Sequence, residues 1–203
     1  MNIKLTREFV QKLPKTDLHV HLDGSVRINT IIDLAKKFNI QLPTMDPGEL
    51  RKLIVCDENT RSLEEYLRGF DIVNLVLQTK EGLYRAAYEL AEDAANENVR
   101  YMEVRFSPIL HTKKGLKMTE ITQSVIDGLR QAEREFPIET GVIICGLRNM
   151  DPTTSIKLAE LAVAFKNRGV VGFDLAGSEF NYPAKEHKEA FELSLKNNLN
   201  ITI

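Results

Sequence analysis

Tryptophan is absent from the 203 residues, cysteine occurs twice and histidine only four times. Cys56 and Cys145 lie far apart with no Cys-x-x-Cys pair, which excludes a disulfide framework; neither is a convincing zinc ligand, and both read as reduced thiols. No run of about 18 apolar residues exists and the N-terminus lacks the apolar core of a secretory signal, so a cytoplasmic location is expected. Charge of one sign is lacking too. The 27 basic and 29 acidic residues leave a net charge of -2, spread along the chain, so neither nucleic acid nor a membrane is an expected partner. The densest basic group, Lys113, Lys114 and Lys117, reads as a solvated loop. There is no glycine-rich phosphate turn, no repeat and no linker. With 43% hydrophobic residues, the chain is expected to bury one core as one domain over residues 1–203.

What is present is an unusual strand. In Lys15-Thr16-Asp17-Leu18-His19-Val20-His21-Leu22-Asp23-Gly24, a period of two puts Asp17, His19, His21 and Asp23 on one face and Leu18, Val20 and Leu22 on the other. The aliphatic face is expected to pack against a core, so the polar face is not simply the wet side of a sheet. Two imidazoles at i and i+2 can both reach one divalent ion, and zinc prefers neutral imidazole nitrogen. Asp17 is placed to orient an imidazole, and Asp23, just past the strand end, to meet a ligand.

Further strands repeat the pattern. In Val99 to Ser107, Met102, Val104 and Phe106 share one face, while Tyr101, Glu103, Arg105 and Ser107 share the other. Val170 to Ala176 sets Asp174 among small residues, and Gly141 to Leu147 and Asn200 to Ile203 read as two more strands. Helical periodicity covers Ile31 to Phe38, Ser62 to Gln78, Glu81 to Asn96, Thr119 to Glu135, a segment opened by Asp151-Pro152 and ended near Gly169, and Lys185 to Leu195. The stretch after Phe38 reads as a short connection. Tyr66 and Phe70, one turn apart, suit either core packing or an aromatic wall over a planar ligand. Strands alternating with helices argue for parallel pairing through right-handed crossovers. Polar residues on one face of three strands are expected to place a site at the strand ends of an α/β fold, a TIM (β/α)8-barrel with five strands read here; a doubly wound open sheet is the alternative, but it would usually show a glycine-rich phosphate turn.

These segments resemble the adenosine deaminases of the metal-dependent amidohydrolase superfamily. Thr16 to Ser25 is similar to the family's opening signature, and Tyr101 to Pro108 and Val171 to Glu179 are similar to two further segments in the same order. The resemblance implies zinc-dependent hydrolysis of the 6-amino group of adenosine or deoxyadenosine, giving inosine and ammonia, in purine metabolism. It implies Zn2+ as cofactor and a purine nucleoside as small-molecule partner. By that resemblance His19 and His21 are zinc ligands, His21 also bordering the substrate, and Asp23 contacts the sugar. Gly177 lies under the purine, where a side chain would meet the ring. Tyr66 and Phe70 belong to a helical lid, and Glu103, Arg105 and Asp174 line the barrel.

The departure from the family lies at the C-terminal side. The family's third zinc ligand, its ring-protonating acid and its later histidine and aspartates have no counterpart up to Ile203, so no catalytic acid or base is assigned within the chain. A typical barrel takes about 250 residues. An N-terminal portion, inactive alone, is therefore expected, with the remainder of the barrel or self-association through open sheet edges as further partners. The other histidines read as bystanders: His111 as solvated in a Pro/Lys/Gly loop, His187 as lying on a helix surface. Competing readings are an adenine or AMP-type deaminase, an inactive half-barrel acting as a binding module, and a phosphoesterase that shares the D-L-H-x-H strand but needs more histidines soon after it.

Overall fold

The computed structural model describes residues 5–56 and 60–203. A short helix, α1 (Arg7–Lys12), begins where the Thr6 hydroxyl accepts the Phe9 N–H, and β1 (Lys15–His21) follows. Among the described residues four helices separate it from the next strand: α2 (Ile28–Lys37), α3 (Pro47–Ile54), α4 (Leu63–Val76) and α5 (Lys80–Asn96). Then β2 (Val99–Phe106), α6 (Met118–Glu135), β3 (Glu139–Leu147), α7 (Pro152–Phe165), β4 (Val170–Ala176), α8 (Lys188–Lys196) and β5 (Asn200–Ile201) alternate. The five strands are parallel and lie side by side in sequence order, β1-β2-β3-β4-β5. This is the strand–helix succession of a TIM barrel's first five strands.

The connection after Phe38 holds a helix that its composition does not advertise. Asp46 Oδ1 accepts the Glu49 N–H at 2.8 Å and Pro47 takes the first helical position, so α3 starts with the same device that Asp151 and Pro152 give α7. Residues 57–59 of that connection lie outside the described residues. Asn39 and Asn98 take positive φ where α2 and α5 end, and Gly169, at φ +129°, turns the chain from α7 into β4.

One face of the sheet carries the main core. Met102, Val104 and Phe106 of β2, Val142 and Ile144 of β3 and Phe173 of β4 are buried against apolar faces of the helices, and Phe173 meets Phe191 of α8 edge-on at 5.4 Å. The other face is polar where β2 and β4 contribute Arg105 and Asp174, both buried. The aliphatic side of β1 is covered only in part: Leu22 is fully buried and Val20 packs on the core, but Leu18 is 53% exposed. The expectation that all three pack together fails there because β1 is an edge of the sheet and Leu18 falls where its register with β2 is irregular.

Helices α5 and α6 pack backbone to backbone at one point. At Gly128 a Cβ would stand 2.3 Å from the Tyr84 carbonyl oxygen, so only glycine lets the two backbones meet. Gly128→Ala is expected to push them apart at a cost of about 1–3 kcal/mol, read as a lower urea midpoint at unchanged m-value.

Candidate functional site

The C-terminal ends of the strands border a cleft of about 290 Å³. The last residues of β1 and the turn after it bring His19, His21 and Asp23; α4 brings Tyr66 and Phe70; the end of β4 brings Asp174 and Gly177. The six residues singled out as metal or substrate contacts therefore edge one space. The rings of His19 and His21 have centroids 5.4 Å apart, and Phe70 sets its edge toward His21 at 6.4 Å. Tyr66 and Phe70 meet edge-on at 5.1 Å, a continuous aromatic wall.

The electrostatics favour a neutral donor. Burial holds the His21 pKa below its ordinary value, with the nearby His19 and Arg105 acting in the same direction and Asp174 against them. Asp23 is only 6% exposed, and burial pushes its carboxyl up to about 6 despite hydrogen bonds from the backbone and Asn74; among the described residues its Oδ1 has no hydrogen-bond partner. A carboxylate oxygen at the edge of a cleft can accept a hydrogen bond from a group placed there. Asp174 is not free in this way. Arg105 Nη1 donates to its Oδ2 at 2.8 Å and Thr202 Oγ1 to its Oδ1 at 3.0 Å, and the Cys145 thiol lies 3.7 Å from Oδ2.

Two neighbouring imidazoles suit two positions of one zinc. Among the described residues no group of three or more His, Cys, Asp and Glu side chains is arranged to hold an ion. Gly177 has its own reason to be glycine: φ is +98°, and a Cβ would face Asn149 Oδ1 at 3.3 Å and the Arg148 nitrogen at 3.4 Å.

Asp17, expected to orient an imidazole ring, instead accepts the His19 backbone N–H at 3.1 Å and does not border the cleft. Glu103 accepts the Tyr101 hydroxyl at 2.9 Å and also stays out of it. His111 is a correction: it is 0% exposed, set against Phe106 at 5.9 Å. Among the described residues neither ring nitrogen has a hydrogen bond of good geometry, the Leu77 backbone offering only a weak interaction, and burial lowers the pKa to about 4. The lysines that follow His111 in sequence are exposed, but the turn Pro108–His111 folds its last side chain inward. His187 is likewise buried, its Nδ1 2.8 Å from the Ser155 hydroxyl and its Nε2 3.2 Å from the Arg148 carbonyl. It closes a 3₁₀ turn before α8, so it faces α7 and not solvent.

The cleft also has walls that pattern reading missed: Leu110, Leu147, Arg148 and Glu179, the last two joined by an ion pair at 3.2 Å. Their signal was positional: Leu147 is the last residue of β3, and Leu110, Arg148 and Glu179 lie just past strand ends, as Asp23 and Gly177 do. Next to the cleft and sharing Asp23, Tyr66 and Phe70 with it, a second cavity of about 380 Å³ opens between α3 and α4. Among the described residues no helix is long and apolar enough to cross a membrane.

Comparison with known proteins gives this cleft a context. Residues 14–203 match the family model described as adenosine deaminase. The chain is 44% identical over 202 residues to a protein of Dictyostelium discoideum named as a probable adenosine deaminase, covering all of this chain and 26% of that one. It is 44% identical over 193 residues to the adenosine deaminase of Clostridium botulinum strain 657, covering 95% of this chain and 58% of the relative. The chain thus spans about a quarter to somewhat over half the length of these relatives. Among solved structures, a Burkholderia ambifaria amidohydrolase with bound Zn superposes with a TM-score of 0.87 at 24% identity, over 98% of this chain and 55% of that one, a likeness of fold.

Proposed function

The chain belongs to the adenosine deaminase family, and from that premise we propose that its cleft is the N-terminal part of a zinc-dependent site for hydrolytic deamination of adenosine. The observation that carries this reading is the grouping of His19, His21, Asp23, Tyr66, Phe70 and Gly177 around one space of 290 Å³. His19 and His21 supply two nitrogens to the metal. A bound zinc contributes Lewis-acid activation of water for attack at C6 of the purine. A catalytic zinc takes three protein ligands; among the described residues no third His, Cys, Asp or Glu is arranged with His19 and His21 to hold an ion, and in this reading the remaining ligand and the acid that serves the ring belong to the rest of the barrel.

The residues present bind and orient. Asp23 Oδ1, buried and without a partner among the described residues, accepts a sugar hydroxyl and disfavours a phosphate in the same place, because two anions out of water repel. Tyr66 and Phe70 wall the purine and keep water from it. The loop at Gly177 lets backbone stand where a side chain would project.

The test joins this chain to the C-terminal segment of the Clostridium botulinum relative and assays adenosine, adenine and AMP. Adenosine is expected to turn over in the joined protein and not with the 203 residues alone. His19→Ala is expected to lower that turnover by more than about a hundredfold, beyond the usual loss of an outer-shell partner. Preference for AMP or adenine would assign the site to another purine, and turnover by the chain alone would refute the division of the site.

A further inference from the structure

We propose that Asp17 and Arg105 are positioning residues that hold a β-bulge in β1 and so aim the His19 imidazole into the cleft. The link to metal rests on the functional reading above; the bulge itself does not. Three steps along β1, from Asp17 to Val20, match two along β2, from Met102 to Val104. Leu18 and His19 share the extra residue, which has no opposite number, as in a β-bulge beside a site.

A bulge draws backbone groups away from their ladder, and such groups are costly unless something else bonds them. Two side chains do so. The His19 N–H donates to Asp17 Oδ1 at 3.1 Å, and Arg105 Nη2 donates to the Leu18 carbonyl at 2.9 Å. The guanidinium is fixed from its other side by Asp174, whose second oxygen accepts from Thr202. A line of polar contacts therefore runs from the segment after β5, through β4 and β2, to the peptide between Leu18 and His19.

The bulge explains why Asp17 parts company with the histidines. A regular strand would keep Asp17 on their face, whereas here the extra residue leaves it behind, and only His19, His21 and Asp23 reach the cleft. Arginine suits the task because a planar fork can serve a carboxylate with one nitrogen and a carbonyl with another, while the single ammonium of lysine is not shaped to span them.

The test compares Asp17→Ala, Asp17→Asn and Arg105→Lys with the unaltered chain by NMR, reading His19 amide exchange, ring-proton contacts between His19 and His21, and zinc chloride titrations. Asp17→Ala is expected to speed His19 exchange about tenfold, as loss of one net hydrogen bond implies, and to weaken the ring contacts. Asp17→Asn keeps an oxygen for the N–H and is expected to restore both. Arg105→Lys keeps the charge beside Asp174 yet is expected to disturb the ring contacts, and zinc affinity is expected to fall about tenfold in it and in Asp17→Ala. Ring contacts that survive both Asp17→Ala and Arg105→Lys would overturn the proposal, whether or not those variants change stability. An unaltered chain that binds no zinc would count against the metal reading, while the ring contacts would still decide the bulge.

Discussion

Asp174→Ala is expected to remove about 3–5 kcal/mol of stability, as measured by urea unfolding. Arg105 and Asp174 form an ion pair at 2.8 Å with side chains only 3% and 5% exposed. Removing the carboxylate leaves the guanidinium in place without its counter-charge, with the Leu18 carbonyl as its remaining acceptor and a buried Nε that already lacks one. Thr202 and Cys145 lose their acceptor in the same step. Against a typical total of about 5–15 kcal/mol, such a loss threatens folding at ambient temperature. Replacing both members, Arg105→Met with Asp174→Leu, is expected to cost far less or to stabilise, because the desolvation penalty of two charges disappears with them. A single replacement that costs less than about 1 kcal/mol would show that water reaches the pair. The double variant also separates stability from aim: it should fold, yet leave the Leu18 carbonyl without its donor.

Between pH 4 and 6 two buried groups are expected to pull the stability of the metal-free chain in opposite directions. His111 has its folded pKa lowered from 6.5 to about 4. Its contribution is complete above 6.5 and is lost as pH falls toward 4, because the unfolded chain binds the proton first; at about 1.4 kcal/mol per unit the loss is on the order of 3 kcal/mol. Asp23 has its folded pKa raised from 3.8 to about 6. The folded form holds that proton more tightly, so its contribution is complete below 3.8 and is lost as pH rises to 6, again on the order of 3 kcal/mol. The unaltered chain should therefore show a shallow profile from these two groups. His111→Phe is expected to leave a stability that falls as pH rises through the window, and Asp23→Asn one that falls as pH drops. Urea midpoints collected at half-unit intervals would check this, and parallel slopes in both variants would contradict it.

Much of this was legible in the sequence because side-chain alternation is local. The faces of β2, with Met102, Val104 and Phe106 against Arg105 and Ser107, follow from a period of two alone: the first three join the hydrophobic core, while Arg105 and Ser107 are buried among polar partners. The fate of Asp17 was not legible, since the bulge depends on register with a strand more than eighty residues away. His111 and His187 were misread for a related reason. Their neighbours are lysines, a proline and a glycine, which signal solvent on average, but whether one side chain in a tight turn faces inward depends on what packs beneath it. Helix α3 was hidden by brevity, with Leu50 its one fully buried side chain, although Asp46-Pro47 announced its start.

The strand order, identical to the order in sequence, has a consequence for how the molecule comes into being. Each new strand adds to an edge that already exists, and no strand must be threaded between two earlier ones. During synthesis the sheet can lengthen by accretion as the chain leaves the ribosome, each helix closing over the strand pair before the next arrives. The β2–β3 and β3–β4 additions span short stretches of chain and should be quick, whereas the β1–β2 joint waits for four helices to be made. The slowest seam in assembly is thus the one that carries the bulge and its histidines.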